Sequence, residues 1–582
     1  MKLRRFAFLA FVIAALPLAA RADLDRRMGP PDGIAATATT LAAVMALNAR
    51  AEGKQLDTFS SRIETWSHNS YGRDSTSTTM WSGSDYKTID HFGPFQELEG
   101  RVAGVRWRQN INGIVVIMGG VHQEDDIAEQ AMKLARSGSP PASVTLLGEV
   151  ASPVAAYVIQ ITTGPDTATW MFIDKSSGRD VREESVWDAV RTTTTYSDFE
   201  NFNGAIVAQT VRSTNGQPGE SVDRLTSLRL NVPISARDLN LPASRRDLVQ
   251  FPADATSVKL PVSMPLSSDT RILSDRYGET IAGTGKSHII VRVTINGRGL
   301  DLALDSGASG IIIDREVVAQ LGLTGWGATE EDTNGISHAA VVDVPELHVG
   351  DLVMKHVAVY PTSFKMRTKE TEEVVGLLGF DFIASVGLKV DYDKGEVTAY
   401  PSGTMPMPST AITIPLMLDD LVPDVSVSVG DAASDHFIVD TGSGADVLPV
   451  RRGGQYVPIV TGGVTVFPRF AAAHPAEMRD EGLGHEVQII IPQLYFGVVG
   501  GVAEGYPVQL KQVVFGVAFD NFIATVIDPT SHWGGEDLDG LIGYGLLHYF
   551  NLYFDYPNSR IVLQPNEEFR NAKHTTETQA TH

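Results

Sequence analysis

Between residues 55 and 250 apolar and polar positions mostly alternate, in segments such as "GIVVIMGGV", "AAYVIQITTG", "ATWMFIDKSSG" and "GAIVAQTVRSTNG". Gly, Ser or Asn bounds each segment, and a period of two with that punctuation predicts a meander of antiparallel strands. Helical patterning is confined to two stretches of this region. These are "IAATATTLAAVMALNARAEG" near the start and "DDIAEQAMKLARSG" at 125–138, the second with an acidic first turn and Gly after its last turn.

Pro and Ser then break the alternation in "VPISARDLNLPASRRDLVQFPADATSVKLPVSMPLSSD", which predicts a boundary near 250. A second Pro cluster, "YPSGTMPMPST" at 400–410, predicts a linker. The expected organisation is a β-rich domain over 23–250, a linker over 251–284, one lobe over 285–402, a second over 411–566 and a polar tail over 567–582.

The two lobes read as copies of each other. "GLLGFDFIASVGLKVDY" at 376–392 aligns without a gap with "GLIGYGLLHYFNLYFDY" at 540–556, an offset of 164. Upstream, "LALDSGAS" at 302–309 matches "FIVDTGSG" at 437–444 at an offset of 135, so the second copy carries about 29 more residues in its middle. Asp-Ser-Gly or Asp-Thr-Gly alone is an ordinary turn tripeptide. A pair in matching strand context points instead to an internal duplication.

These residues resemble the aspartic proteases, specifically the retropepsin-like branch fused into a two-lobed chain like pepsin. The resemblance covers about 290–400 and 421–566. It implies a mainly β fold, with two retropepsin-like β-barrel lobes in tandem behind the β-rich N-terminal domain, and a catalytic pair made of Asp305 and Asp440. The chemistry needs both, because two close carboxylates share one proton, so one serves as base towards water while the other donates. Ser306 and Thr441 would tie the two loops together, and Gly307 and Gly442 would let backbone approach the carboxylates. In such proteases Leu377-Leu378-Gly379 and Leu541-Ile542-Gly543 would thread behind the loops as a buttress.

The copies also differ. "IIIDREVVAQLGL" predicts strand then helix, with Asp314 as N-cap and Gly322 near the C-terminus, whereas Pro449 and Gly453-Gly454 in "VLPVRRGGQYVPIV" argue against that helix after the second motif. The first flap is expected at 327–341, around Gly335.

Composition adds compartment and exclusions. "MKLRR", an apolar run and Ala20-Arg21-Ala22 read as a signal peptide over 1–22, with the mature chain starting at Asp23 and the protein periplasmic or secreted. The chain has no cysteine, which excludes disulfides, a thiolate nucleophile and Cys-ligated zinc. Losing Lys2, Arg4, Arg5 and Arg21 takes the formal charge from -23 to -27, which disfavours nucleic acid and anionic membranes as partners.

Other motifs fail on inspection. "GETIAGTGKSH" has Thr280 where a phosphate loop needs Gly, His474 and His485 are too far apart for a helical metal pair, and "HWGGEDLDG" lacks calcium-loop spacing. No metal and no cofactor are expected. Trp66, Trp81, Trp107, Trp170 and Trp187 read as core, and the N-terminal meander weakly resembles the open barrel of periplasmic lipoprotein carriers, which implies a concavity for a lipid or other hydrophobic ligand. The expected function is an aspartic-type endopeptidase, monomeric and most active at mildly acid pH, acting on extended polypeptide. The alternative is a binding protein that keeps the fold without cleavage.

Overall fold

The computed structural model describes residues 29–53, 56–70, 73–118, 122–162, 168–187, 190–214, 220–264, 272–274, 280–282, 288–327, 330–331, 337–338, 340–362, 374–419, 421–444, 447–452, 455–479, 493–496, 502–527 and 538–571. Mainly β throughout, they divide into two compact units. One comprises 1–108 and 119–242; the other comprises 109–118 and 243–582. The signal peptide expected over 1–22 lies outside the described residues.

In the first unit the segments "AAYVIQITTG", "ATWMFIDKSSG" and "GAIVAQTVRSTNG" pair within an antiparallel meander. Its strand Ser61–Ser70 lies between Arg73–Ser82 and Ser221–Leu230. Both helical stretches form helices, Leu41–Glu52 and His122–Arg136. Thr40 caps the first through its side chain, which accepts from the Ala43 N–H, so the β-branched residues before it stay outside the helix. Val44 and Met45 from one helix and Ala131, Met132 and Ala135 from the other bury against Val144, Ile159, Ile161 and Ile173 of the sheet. Trp107 and Trp170 are buried core residues.

The second unit repeats one local connectivity. Strand Arg298–Leu304 runs parallel to Val374–Leu378, which is antiparallel to Ile311–Asp314, itself parallel to Leu352–Thr362. Later in the chain Ala432–Val439 runs parallel to Gly540–Ile542, which is antiparallel to Val464–Val466, itself parallel to Val517–Ile527. A short helix follows in each case, Arg315–Gln320 and Pro468–Ala473. Asp314 caps the first by accepting from the Glu316 and Val317 N–H groups.

The second helix corrects the expectation that none would follow "FIVDTGSG". Ile311 pairs with Leu378 as Val464 pairs with Ile542, so 24 residues separate Asp440 from its strand where six separate Asp305 from its own. The extra 18 hold a β-hairpin, Val447–Arg452 with Gln455–Val460. Pro449 belongs to that hairpin, and Pro468 opens the helix as its first residue, where a missing N–H costs nothing.

Part of the expected linker pairs with strands of the second unit. Val258–Lys259 pairs with Glu396–Pro401 and Val262–Ser263 with Ile290–Ile295, and Val258 and Leu260 are buried in the core. Apolar alternation at 258, 260 and 262 outweighs the Pro and Ser around it.

The strands ending in Asp-Tyr, Val386–Asp391 and Phe550–Asp555, pair antiparallel with each other, Lys389 opposite Tyr553. Tyr392 lies edge-on to Tyr544 at 5.8 Å between ring centroids, and Tyr556 lies against Phe380 at 6.2 Å. Each copy therefore packs the aromatic at its Asp-Tyr corner on the aromatic after Leu-Leu-Gly or Leu-Ile-Gly of the other.

Candidate active site

Each Asp sits at the end of a strand whose last residues are fully buried: Leu302 and Leu304 before Asp305, Phe437 and Val439 before Asp440. The chain then turns sharply. Gly307 N–H donates to Asp305 Oδ1 and Gly442 N–H to Asp440 Oδ1, both at 2.8 Å, and Ser443 N–H adds a bond to Asp440 Oδ1 at 3.0 Å. The same turn thus forms twice, with each carboxylate anchored by backbone amides.

The two turns interlock. Ser306 N–H donates to Thr441 Oγ1 and Thr441 N–H donates to Ser306 Oγ, each at 3.0 Å. The hydroxyls then donate onward, Ser306 Oγ to the Val439 carbonyl at 2.5 Å and Thr441 Oγ1 to the Leu304 carbonyl at 2.8 Å. Every donor and acceptor of this buried square has a partner, as burial in a low-dielectric interior requires.

Interlocking sets each carboxyl against the other's turn: a Cβ on Gly442 would stand 2.5 Å from Asp305 Cγ, and one on Gly307 would stand 2.8 Å from Asp440 Cγ. Only glycine fits at either place. Asp305 is 6% exposed and Asp440 partly exposed. Burial, and then the charge of Asp440, holds the Asp305 carboxyl well above the ordinary carboxylate range. Burial raises Asp440 too, while the bond from Asp305 and the amides of Gly442 and Ser443 pull the other way. The pair is built to hold one proton between them.

The expected buttress lies behind the loops. Asp305 N–H donates to the Leu378 carbonyl at 3.2 Å and Asp440 N–H to the Ile542 carbonyl at 2.9 Å. Leu377, Leu378, Leu541 and Ile542 are all buried. Gly379 and Gly543 have no room for a Cβ, which would meet the Gly310 carbonyl oxygen at 2.4 Å and the Gly462 carbonyl oxygen at 2.5 Å.

Of the expected flap, Glu330–Glu331 and Ser337–His338 pair antiparallel, and Gly335 lies outside the described residues. One residue at the site escaped the sequence reading. Tyr556 is buried, its hydroxyl has no hydrogen-bond partner among the described residues, and burial together with the charges of Asp305 and Asp440 raises its pKa well above normal. The repeated Asp-Tyr pair was the available signal.

A second constellation lies in the first unit, where Asp223 Oδ1 meets His68 Nδ1 at 2.8 Å and His68 Nε2 meets Ser77 Oγ at 2.7 Å. This copies the order of a nucleophilic triad. Ser77, however, is 6% exposed, and its cross-strand neighbour Asp90, pushed up to about 6 by burial and then by Glu99, would oppose a developing oxyanion. The arrangement is a polar seam across the sheet.

Residues 291–382 match the family model described as Aspartyl protease, and this region is aspartyl-protease-like. No curated protein matches the chain. Among solved structures, a retropepsin-like aspartic protease from Rickettsia conorii is similar at 18% identity over 25% of this chain and 89% of that one, with a TM-score of 0.16. A DUF1329 family protein from Desulfovibrio piger is similar at 17% identity over 35% of this chain and 98% of that one, with a TM-score of 0.25. A LolA superfamily protein from Nitrosomonas europaea is similar at 10% identity over 35% and 99%, with a TM-score of 0.26. At these TM-scores the structural likenesses decide nothing further about the chain.

Proposed function

We propose that this chain is an aspartic-type endopeptidase in which Asp305 and Asp440 work as one dyad. The observation that carries the reading is that the reciprocal Ser306–Thr441 bonds set each carboxyl against the turn of the other Asp. With one proton on the pair, the ionised carboxylate takes a proton from a water as its oxygen attacks the peptide carbonyl carbon. The protonated carboxyl gives its proton to the carbonyl oxygen. The tetrahedral diol then collapses: the C–N bond breaks, the proton first taken from water passes to the amine nitrogen, and one diol hydroxyl returns its proton to the other carboxylate as the C=O bond re-forms, restoring the singly protonated pair.

The reading extends to the rest of the chain. Residues 285–402 and 411–566 are the two lobes, each donating one Asp, and 23–250, apart from the segment 109–118, is an accessory domain able to hold a hydrophobic ligand. Residues 1–22 direct export, leaving a periplasmic or secreted protein. Substrate is a polypeptide in extended conformation, pairing with strand edges. The rival reading, a binding protein without cleavage, leaves a costly buried carboxyl pair without a role.

The test is incubation of the mature chain with a diverse peptide mixture from pH 3 to 8, read by mass spectrometry at several enzyme concentrations. New termini with an optimum at mildly acid pH, at a rate first order in chain, support the reading. A rate that climbs steadily to pH 8, or one second order in chain, contradicts it.

A further inference from the structure

The loop behind the first Asp is held by residues far upstream in the chain. Residues 109–118 belong to the second unit although the sequence on both sides of them belongs to the first. Ile114 and Val116 are buried in the core of the second unit. Asn110 and Asn112 are both 2% exposed, and each spends its side chain on that unit. Asn112 Nδ2 donates to the Ala358 carbonyl at 3.0 Å and its Oδ1 accepts from the Ala358 N–H at 2.7 Å, substituting for a neighbouring strand. Asn110 Oδ1 accepts from Ile114 N–H at 2.9 Å and Asn112 N–H at 3.1 Å, which closes the loop. Its Nδ2 donates to Asp381 Oδ1 at 2.7 Å.

Asp381 is fully buried and lies against Gly310, just past the Asp305 turn. A Cβ on Gly310 would come within 3.3 Å of Asp381 Oδ2 and 2.8 Å of the Tyr360 ring. The neighbouring Phe380 N–H donates to the Ala308 carbonyl at 2.9 Å. The second copy has no such carboxylate. Gly545 stands at the position of Asp381, and backbone of Thr461 and Gly463 packs directly where a side chain would go. A carboxylate placed under only one of the two turns needs a buried partner, and the segment 109–118 supplies it.

We propose that Asn110, acting through Asp381, is a positioning residue for the Asp305 turn, so the protease-like unit depends on a segment embedded in the N-terminal sequence. It follows that the N-terminal region is no removable pro-segment. The catalytic consequence rests on the endopeptidase reading; the structural one does not.

The test uses the full mature chain as wild type, Asn110→Ser, Asn110→Asp, and Asn110→Asp with Asp381→Asn. Hydrogen exchange over 304–310 and peptide hydrolysis are both measured. Asn110→Asp sets two carboxylates together, whereas the double variant restores the bond with the donor reversed, Asn at 381 donating to Asp at 110. Expected is exchange faster by about tenfold in Asn110→Ser, the size set by losing the buried hydrogen bond to Asp381. Exchange is expected faster still in Asn110→Asp and back near wild type in the double variant. Hydrolysis should follow in kcat with KM held. Unchanged exchange over 304–310 in folded Asn110→Ser, or no rescue in the double variant, overturns the proposal. If wild type cuts no peptide while exchange follows this pattern, the endopeptidase reading fails and the positioning role stands.

Discussion

Ser306 and Thr441 hold each other by two hydrogen bonds of equal length, each backbone N–H to the other's hydroxyl at 3.0 Å. This reciprocity joins two turns 135 residues apart. Substituting Ser306→Ala leaves the Thr441 N–H buried without its acceptor. The expected loss is about 1–3 kcal/mol of stability, read as a lowered midpoint in denaturant unfolding.

A methyl group at position 442 has nowhere to go, since it would meet Asp305 Cγ at 2.5 Å. Gly442→Ala therefore pushes the carboxyls apart. Cleavage should fall by on the order of 100-fold, as for a displacement of about 1 Å at reacting groups, and the effect should lie in kcat.

The raised Asp305 carboxyl has a cost in stability. A folded-state pKa above the unfolded value means that the stability contribution is complete below the ordinary carboxylate range and is lost as pH rises through the raised value. Asp305→Asn removes that loss. The variant should be more stable than wild type at pH 7, with the difference closing towards pH 4. Equal stability at both pH values would show that the carboxyl is not strained.

In the first unit Glu52 ends the helix Leu41–Glu52 and is raised to about 7, by burial first and then by Asp180. Its contribution is present below the ordinary glutamate range and is lost as pH rises through about 7. Glu52→Gln keeps an oxygen to accept from the Asp180 N–H. Hydrogen exchange of residues 41–52 should then be slower than wild type at pH 8 and equal to it at pH 5.

Much of the site was legible because the duplication printed it twice: Asp305 with Asp440, Gly307 with Gly442, Gly379 with Gly543. The cap at Asp314 was legible for a local reason, a carboxylate two residues before free amides. The helix at Pro468–Ala473 was hidden because a hairpin of local turn chemistry displaces it by 18 residues from the place the first copy predicts. The strands at 258–263 were masked by Pro and Ser, which speak for breaks only where no sheet edge is on offer. Asn110 was invisible because nothing local distinguishes it; its meaning lies in Asp381, 271 residues away.

The central claim is that two distant Asp turns form one active site. The most direct test compares wild type, Asp305→Asn and Asp440→Asn on one peptide mixture from pH 3 to 8, each first shown to be folded. Wild type should cleave at mildly acid pH, and both variants should lose cleavage. Either variant cutting as wild type does would contradict the claim.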